Sequence, residues 1–173
     1  MNSALQCLSN TTELNQYFLC EFHSRRPLAA PPLHADSFPF FPTIAGVFKE
    51  EINRQNPLGM KGQVADAFGV LIAQLFLGSS SSFSPSEFKR TIARFAPSFS
   101  GYQQHDSQEL ITFALDGLHE DLNRIRQKPY SESPDWNGGD DQDLAKMARI
   151  CWDMYKKRND SVIVDLFQGQ YKR

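Results

Sequence analysis

The chain has 173 residues, the size of one domain with a sizeable core. Its 18 Lys and Arg residues nearly balance 20 Asp and Glu residues, for a net charge of −2, whereas proteins that neutralise nucleic-acid phosphates are normally basic. No stretch approaches the roughly 18 apolar residues of a membrane span, and no basic segment typical of a secretory signal follows Met1. We therefore expect a soluble, intracellular protein with no nucleic-acid or membrane partner.

The cysteines and histidines form no recognised metal motif. Cys7, Cys20 and Cys151 are widely spaced, which indicates neither a disulfide framework nor a CxxC zinc pair. The segment that starts at His119 begins like the zinc motif HExxH, but Asn123 occupies the second histidine position. We expect no metal and no cofactor, with cysteines as small apolar residues and histidines at the surface. The histidines are His23, His34, His105 and His119.

Helical patterns dominate the first part of the chain, apart from one segment. Residues 1–20 carry short apolar faces typical of helix. Residues 21–48 contain five prolines interleaved with phenylalanines, a composition that excludes a helix or a central strand and predicts a long inserted loop. Residues 61–77 carry apolar side chains at helical spacing, and Gly78 is placed to end that helix. The residues predicted on its buried face are Val64, Phe68, Leu71, Ile72, Leu75 and Phe76.

Three further helices and one strand are predicted after this helix. Ser84 suits the N-cap of a helix that Pro97 ends, and Asp106 suits the N-cap of the longest helix, with Glu109 at the reciprocal capping position. A polar loop leads from residue 128 to residue 141, and residues 144–155 form another amphipathic helix. The β-branched run over residues 161–167 predicts a single strand. The fold class is therefore mainly α.

The densest polar cluster covers residues 101–110 and has two interpretations. Asp106 and Glu109 are what an ordinary helix start requires. However, a cap alone does not explain Tyr102 or the nearby amides Gln103, Gln104 and Gln108, and carboxylates beside amides also suit the binding of a basic, extended peptide. The residues alone leave both interpretations open.

Three ordered blocks resemble the ubiquitin-specific proteases, the papain-like cysteine deubiquitinases. Residues 1–8, MNSALQCL, are similar to the second half of the cysteine box, G-N-T-C-[FY]-M-N-S-x-L-Q-x-L. Residues 99–110, FSGYQQHDSQEL, are similar to the second box, Q-Q-D-[AS]-[HQ]-E. Residues 158–170, RNDSVIVDLFQGQ, resemble the strand that enters the fingers of the family fold. Residues 56–62, NPLGMKG, and 117–123, GLHEDLN, also fit and resemble the subgroup of yeast Doa4 and Ubp12.

The resemblance implies a fold and a function for the whole chain. Residues 1–173 correspond to part of a catalytic domain, its helical thumb, with 21–48 as a Pro/Phe-rich insertion and 161–170 as the first strand of the fingers. The insertion is either a genuine loop or translated intron. The family hydrolyses the bond after the C-terminal glycine of ubiquitin, in the cytoplasm or nucleus. Ubiquitin or a ubiquitinated protein is the implied partner, and the oligomeric state stays open. The resemblance also implies that four residues face the arginine-bearing tail of ubiquitin: Gln104, Asp106, Gln108 and Glu109.

The same resemblance assigns no catalytic residue within the 173 residues. In the family pattern the nucleophilic cysteine precedes the Met of M-N-S, here Met1, and Cys7 occupies a variable position. The catalytic histidine and the zinc-binding CxxC pairs correspond to segments after Arg173. Because attack on the ubiquitin bond needs a thiolate and an imidazole, we expect this polypeptide by itself to be inactive. The alternative is a non-catalytic pseudo-deubiquitinase that binds ubiquitin or another partner through the thumb.

Overall fold

The computed structural model describes residues 2–19, 48–79, 82–101, 104–130, 132, 134–135 and 138–171, and the following account concerns these residues. Their regular structure is helical, as predicted, with eight α-helices and one short 3₁₀ helix over Pro97–Phe99. The α-helices are α1 Asn2–Ser9, α2 Thr12–Leu19, α3 Phe48–Glu51, α4 Gln63–Leu77, α5 Ser86–Phe95, α6 Ser107–Asp121, α7 Asp141–Lys156 and α8 Val162–Phe167.

Helices α4 and α6 form the centre of the fold and pack against each other. Helix α4 also contacts α2 and α5, while α6 contacts α1 and α8. Aromatic rings join these layers, since Phe68 of α4 lies 5.0 Å from Phe18 of α2 and 5.8 Å from Phe88 of α5, measured between ring centroids. Burial of such large apolar surfaces is the main force that assembles short helices.

Two predictions about α4 and α5 need correction. Leu75 and Phe76 are about half exposed, because the buried positions of α4 end at Ile72 and its last turn is only partly covered. Ser84 is not the N-cap of α5; Pro85 takes that position and supplies no side-chain hydrogen bond. Gly78 ends α4 as predicted, and α5 ends before Pro97.

The predicted strand at residues 161–167 is wrong, because Val162–Phe167 forms helix α8. Ser161 is its N-cap, and the hydroxyl oxygen accepts a hydrogen bond from the backbone N–H of Val164 at 3.3 Å. Val162, Ile163 and Val164 are buried, and α8 packs against α2 and α6. A capping serine and burial on three consecutive positions outweigh the preference of β-branched residues for strands.

Helix α7 differs from the other long helices because none of its residues is buried. Its apolar stripe is only half covered; Trp152 stacks on Tyr155 with ring centroids 5.6 Å apart.

None of the helices within the described ranges is both long and apolar enough to cross a lipid bilayer. The predicted insertion at 21–48 lies outside the described residues except for Phe48, which is buried at the start of α3.

Candidate ubiquitin-tail site

The predicted polar cluster is described by the structure over residues 104–110, which we call the polar box. The polar box lies at the start of α6, where Asp106 is the N-cap as predicted. Its backbone is extended, with φ −65° and ψ 126°, and its carboxylate accepts a hydrogen bond from the backbone N–H of Gln108 at 2.7 Å. The cap satisfies one of the backbone donors that a helix start leaves without an intrahelical partner. The described residues show no return bond from the Glu109 side chain to the helix start, so the reciprocal part of the cap is not formed.

All four predicted tail-binding residues, Gln104, Asp106, Gln108 and Glu109, are exposed to solvent. The last three line an open groove of about 550 Å³. The groove extends two further helical turns along α6, where Thr112, Phe113 and Asp116 complete its lining. Among the described residues, its carboxylates belong to Asp106, Glu109 and Asp116, and its lining includes no Lys or Arg. We call this the acidic groove.

The sequence prediction missed the three residues that extend the groove. Asp116 lies seven positions after Glu109, and Thr112 lies four after Gln108, spacings that place side chains on one helix face. The helical periodicity of the polar face is the sequence signal that indicates Thr112 and Asp116. The Thr112 hydroxyl donates to the backbone carbonyl of Gln108 at 2.9 Å.

The loop that precedes the groove is fixed at its two ends. At one end Gly101 has φ +86°, a left-handed conformation that favours glycine, and its carbonyl accepts a hydrogen bond from Lys89 Nζ at 2.5 Å. At the other end the ring of His105 meets the buried ring of Phe99 edge-on, with centroids 5.6 Å apart. Phe99 also contacts Phe113, which lines the groove, at 5.9 Å.

A second polar region is buried beneath the loop that leads into α4. The Asp121 side chain is fully buried at the end of α6 and accepts four backbone N–H groups. The Oδ1 atom accepts from Met60 at 2.6 Å and Gly62 at 3.0 Å, and Oδ2 accepts from Val64 at 3.0 Å and Ala65 at 3.3 Å. Burial raises the pKa of Asp121, and the four N–H donors oppose that rise.

Three asparagines complete this region. Asn53 donates its amide to the backbone carbonyl of Asn123 at 3.0 Å, and Asn56 donates to the carbonyl of Glu120 at 2.9 Å. The Asn123 side chain donates to the carbonyl of Arg158 at 3.2 Å and accepts from the N–H of Ile125 at 3.1 Å. The two sequence blocks 56–62 and 117–123 therefore lie against each other. We call Asn53, Asn56, Asp121 and Asn123 the polar junction.

Glu120 links the polar junction to the surface. Its carboxylate accepts from the Asn56 amide at 2.6 Å and forms an ion pair with Lys128 at 3.1 Å. Burial favours a higher pKa for Glu120, but the bonds from Asn56 and Lys128 outweigh it and hold the pKa below the ordinary value of 4.5. The interaction stabilises the end of α6 and leaves no carboxylate oxygen in an open cleft.

His119 is not the surface residue that the sequence predicted. It is 6% exposed, and its Nδ1 atom lies 2.8 Å from the hydroxyl of Ser161, the cap of α8. His105 is half-buried, while His23 and His34 lie outside the described residues. Within the described ranges no three His, Cys, Asp or Glu side chains are placed to hold a metal ion.

The cysteines are less buried than predicted. Cys7 is exposed on α1 and Cys151 is partly exposed on α7, while Cys20 lies outside the described residues. Neither described thiol contacts an imidazole among the described histidines. A cysteine nucleophile needs such a base beside it, so this geometry assigns neither Cys7 nor Cys151 that role.

Comparison with known proteins extends over the whole chain. The family profile described as ubiquitin carboxyl-terminal hydrolase matches residues 1–173. Ubiquitin carboxyl-terminal hydrolase 4 of Mus musculus is 49% identical over 172 residues, 99% of this chain and 15% of that protein. Ubiquitin carboxyl-terminal hydrolase 15 of Homo sapiens is 46% identical, with the same coverage of each chain. The putative ubiquitin carboxyl-terminal hydrolase 11 of Arabidopsis thaliana is 45% identical, covering 99% of this chain and 16% of its own.

The match is therefore complete for this chain and partial for its relatives. The chain spans about 15% of the length of the curated relatives named here. The matching family profile covers every residue of the chain, including both the acidic groove and the polar junction. The chain belongs to the ubiquitin carboxyl-terminal hydrolase family.

Proposed function

We propose that the chain forms one side of the channel that binds the C-terminal tail of ubiquitin in a thiol-dependent deubiquitinase. The observation that carries the proposal is the acidic groove, because it presents three carboxylates in an open channel at the position of the family's second box. The reaction proposed for the whole enzyme is hydrolysis of the bond after the last glycine of ubiquitin. The narrower placement beside yeast Doa4 and Ubp12 belongs to the same proposal.

The chemistry of the groove suits an arginine-bearing, extended peptide. A guanidinium group can form two parallel hydrogen bonds to one carboxylate, and such charge-assisted bonds are stronger than neutral ones. Asp106 and Glu109 line the groove together and are both exposed, so a peptide lying along α6 can reach both. Because Asp106 also caps α6, its carboxylate is already held in place before a ligand arrives.

The predicted site is accessible, whereas the polar junction is not. Asp121 is fully buried and its two oxygens are occupied by four N–H groups, so it is a structural carboxylate. Gln104 is exposed beside the groove without lining it, a position from which an amide can contact the backbone of a bound peptide. We therefore assign ligand binding to residues 104–116 and stability to the polar junction.

The partner proposed for this site is ubiquitin or a ubiquitinated protein, and the proposed location is the cytoplasm or nucleus. One wall of a channel holds an extended tail less tightly than two walls, since fewer bonds form for the same loss of conformational freedom. We expect the 173-residue polypeptide to bind ubiquitin weakly and to leave a ubiquitin C-terminal reporter unhydrolysed.

Binding is tested by titrating ubiquitin into variants that each lose one negative charge, either inside or outside the acidic groove. Asp106→Asn keeps a good helix cap but removes the charge, and Glu109→Gln does the same for the neighbouring carboxylate. Each should weaken binding by about 1.5- to fivefold, as expected for an exposed charged pair. Asp153→Asn is the control, because Asp153 is exposed on α7 and does not line the groove.

Catalysis is tested separately with a ubiquitin C-terminal fluorogenic reporter. The proposal expects no turnover by the 173-residue chain. Turnover that iodoacetamide abolishes, and that Cys7→Ser also abolishes, would show that a thiol of this chain is the nucleophile. Binding without turnover is also what the pseudo-deubiquitinase alternative requires. A bare helical scaffold would show neither activity nor binding.

A further inference from the structure

His105 departs from the family box at the position next to the proposed ligand-binding aspartate. The box reads Q-Q-D-[AS]-[HQ]-E, so its residue before Asp is Gln, whereas this chain has His105 before Asp106. The side chain is half-buried, and its Nε2 atom is buried without a hydrogen-bond partner among the described residues. A buried ring nitrogen with no partner usually costs stability, so another feature of the ring must favour this placement.

The contacts of the ring identify that feature as packing on Phe99. The two rings meet edge-on with an interplanar angle of 68° and centroids 5.6 Å apart, the geometry of a favourable aromatic pair. Phe99 is 2% exposed and also contacts Phe113 at 5.9 Å, so it is held between the loop and α6. His105 therefore rests on a fixed apolar support that is shared with the lining of the acidic groove.

The residues on either side of His105 are the ones proposed to bind the ubiquitin tail. Gln104 precedes it, and Asp106 follows it with its carboxylate bonded to the N–H of Gln108. Because side-chain rotamers and backbone dihedral angles are coupled, packing of the His105 ring restricts the backbone angles of His105. These angles set the orientation of the two adjacent residues, Gln104 and Asp106. The bond from Lys89 to the carbonyl of Gly101 fixes the far end of the same loop.

We infer that His105 is a positioning residue, whose ring on Phe99 orients Gln104 and Asp106 for the peptide ligand of the acidic groove. The effect of His105 on ligand binding rests on the proposed function. Its effect on the cap that Asp106 forms does not. Since neither ring nitrogen forms a hydrogen bond to a described residue, the role depends on the flat apolar ring rather than on the nitrogens.

The inference is tested with His105→Ala and with the conservative variant His105→Phe. The alanine variant removes the ring, whereas the phenylalanine variant keeps the edge-on contact and removes the buried nitrogen that lacks a partner. Two readouts are measured on the full 173-residue chain. One is the hydrogen-exchange rate of the Gln108 amide, which the Asp106 cap protects. The other is the dissociation constant for ubiquitin from an NMR titration.

For His105→Ala we expect exchange of the Gln108 amide to be at least about threefold faster and ubiquitin binding to be about two- to tenfold weaker. For His105→Phe we expect both quantities to stay within about twofold of the wild type. The amides of α4 serve as the internal reference, because they should keep their wild-type exchange rates in both variants.

Two results would overturn the inference: wild-type values in His105→Ala, or equal damage from alanine and phenylalanine. The second result would mean that the imidazole nitrogens, not the ring contact, matter. Failure of the proposed function is seen separately, as a wild-type chain that does not bind ubiquitin or as an Asp106→Asn variant that binds normally. In that case the exchange rate of the Gln108 amide still decides whether His105 positions the loop.

Discussion

The polar junction and the acidic groove are both built around aspartates of the same helix, yet one aspartate is buried and the other is exposed. Asp121 at the end of α6 is fully buried and satisfied by four backbone N–H groups. Asp106 at the start of α6 is exposed, and its carboxylate accepts one hydrogen bond from its own helix, from the backbone N–H of Gln108. A buried carboxylate with all of its bonds made stabilises a fold, whereas an exposed one on an open groove remains available to a ligand.

The comparison explains why family motifs do not by themselves mark ligand-binding residues. The blocks at 56–62 and 117–123 are as recognisable as the polar box, but the structure shows that they hold the loop before α4 against the end of α6. In the polar box Asp106 caps its own helix and His105 packs on Phe99, while the side chains of Asp106 and Glu109 stay exposed. Substitutions in the two regions should therefore separate stability from binding.

Removal of the Asp121 carboxylate should have the largest effect. Asp121→Ala leaves four backbone N–H groups without their acceptor, which should lower the free energy of unfolding by roughly 3–5 kcal/mol. Urea denaturation followed by circular dichroism measures this change. Asp116→Ala on the same helix is the matched control and should change stability by less than about 0.5 kcal/mol, because Asp116 is exposed. Equal effects of the two substitutions would contradict the division between the regions.

Gly62→Ala should have the next largest effect. Gly62 has φ +78°, and a Cβ atom added there would lie 2.3 Å from Ile52 Cγ2. Backbone strain and steric overlap together should cost roughly 2–4 kcal/mol of unfolding free energy, measured in the same urea experiment. Gly169→Ala is the control, since no atom lies within 4 Å of the added Cβ, and we expect it to be nearly neutral.

Substitution of Asp106 should lower stability by a smaller amount. Two different substitutions separate its role as a helix cap from its proposed role in binding. Asp106→Ala removes the cap of α6 and should cost about 1 kcal/mol, whereas Asp106→Asn keeps the cap and should cost only a few tenths. Both variants should bind ubiquitin less tightly, as they lack the charge. A thermal denaturation series beside the ubiquitin titration measures the two properties. If binding followed stability across the pair, the cap alone would account for the role of Asp106.

The smallest effect is the pH dependence that Glu120 contributes. Its pKa in the folded protein lies below the ordinary 4.5, so its contribution to stability is present above that pH and is lost as the pH falls through the lowered value. At pH 7, Glu120→Gln should reduce the free energy of unfolding by about 0.5–1 kcal/mol through loss of the ion pair with Lys128. As the pH falls through the lowered pKa of Glu120, the difference between the variant and the wild type should shrink. A difference that stays constant from pH 7 through the acid range would contradict this assignment.

The helices with strong apolar periodicity could be predicted from the sequence, but the identity of the last element could not. The spacing of Val64, Phe68, Leu71 and Ile72 requires one buried helix face whatever the partners are. Residues 162–167 are short and β-branched, and only the cap from Ser161 and the packing of α8 on α2 and α6 decide their conformation. Local preference is weak over six residues, so tertiary contacts determine the outcome.

The candidate site could be predicted in part. The residue types in the polar box indicated both a helix cap and a basic ligand, and the structure shows the cap at Asp106. The extension of the groove to Asp116 follows the polar face of α6, which helical spacing could have indicated. The contact of the His105 ring with Phe99 is a tertiary contact, which helical spacing does not encode. The burial of His119 was missed for the same reason, because its partner Ser161 is distant in the sequence.

The central claim is that the acidic groove binds the C-terminal tail of ubiquitin. The most direct measurement is a titration of the ¹⁵N-labelled chain with intact ubiquitin and with ubiquitin that lacks its C-terminal tail. We predict chemical-shift changes that cluster at residues 104–116 with intact ubiquitin and that disappear when the tail is removed. Identical shifts with both forms of ubiquitin, or shifts confined to other surfaces, would contradict the claim.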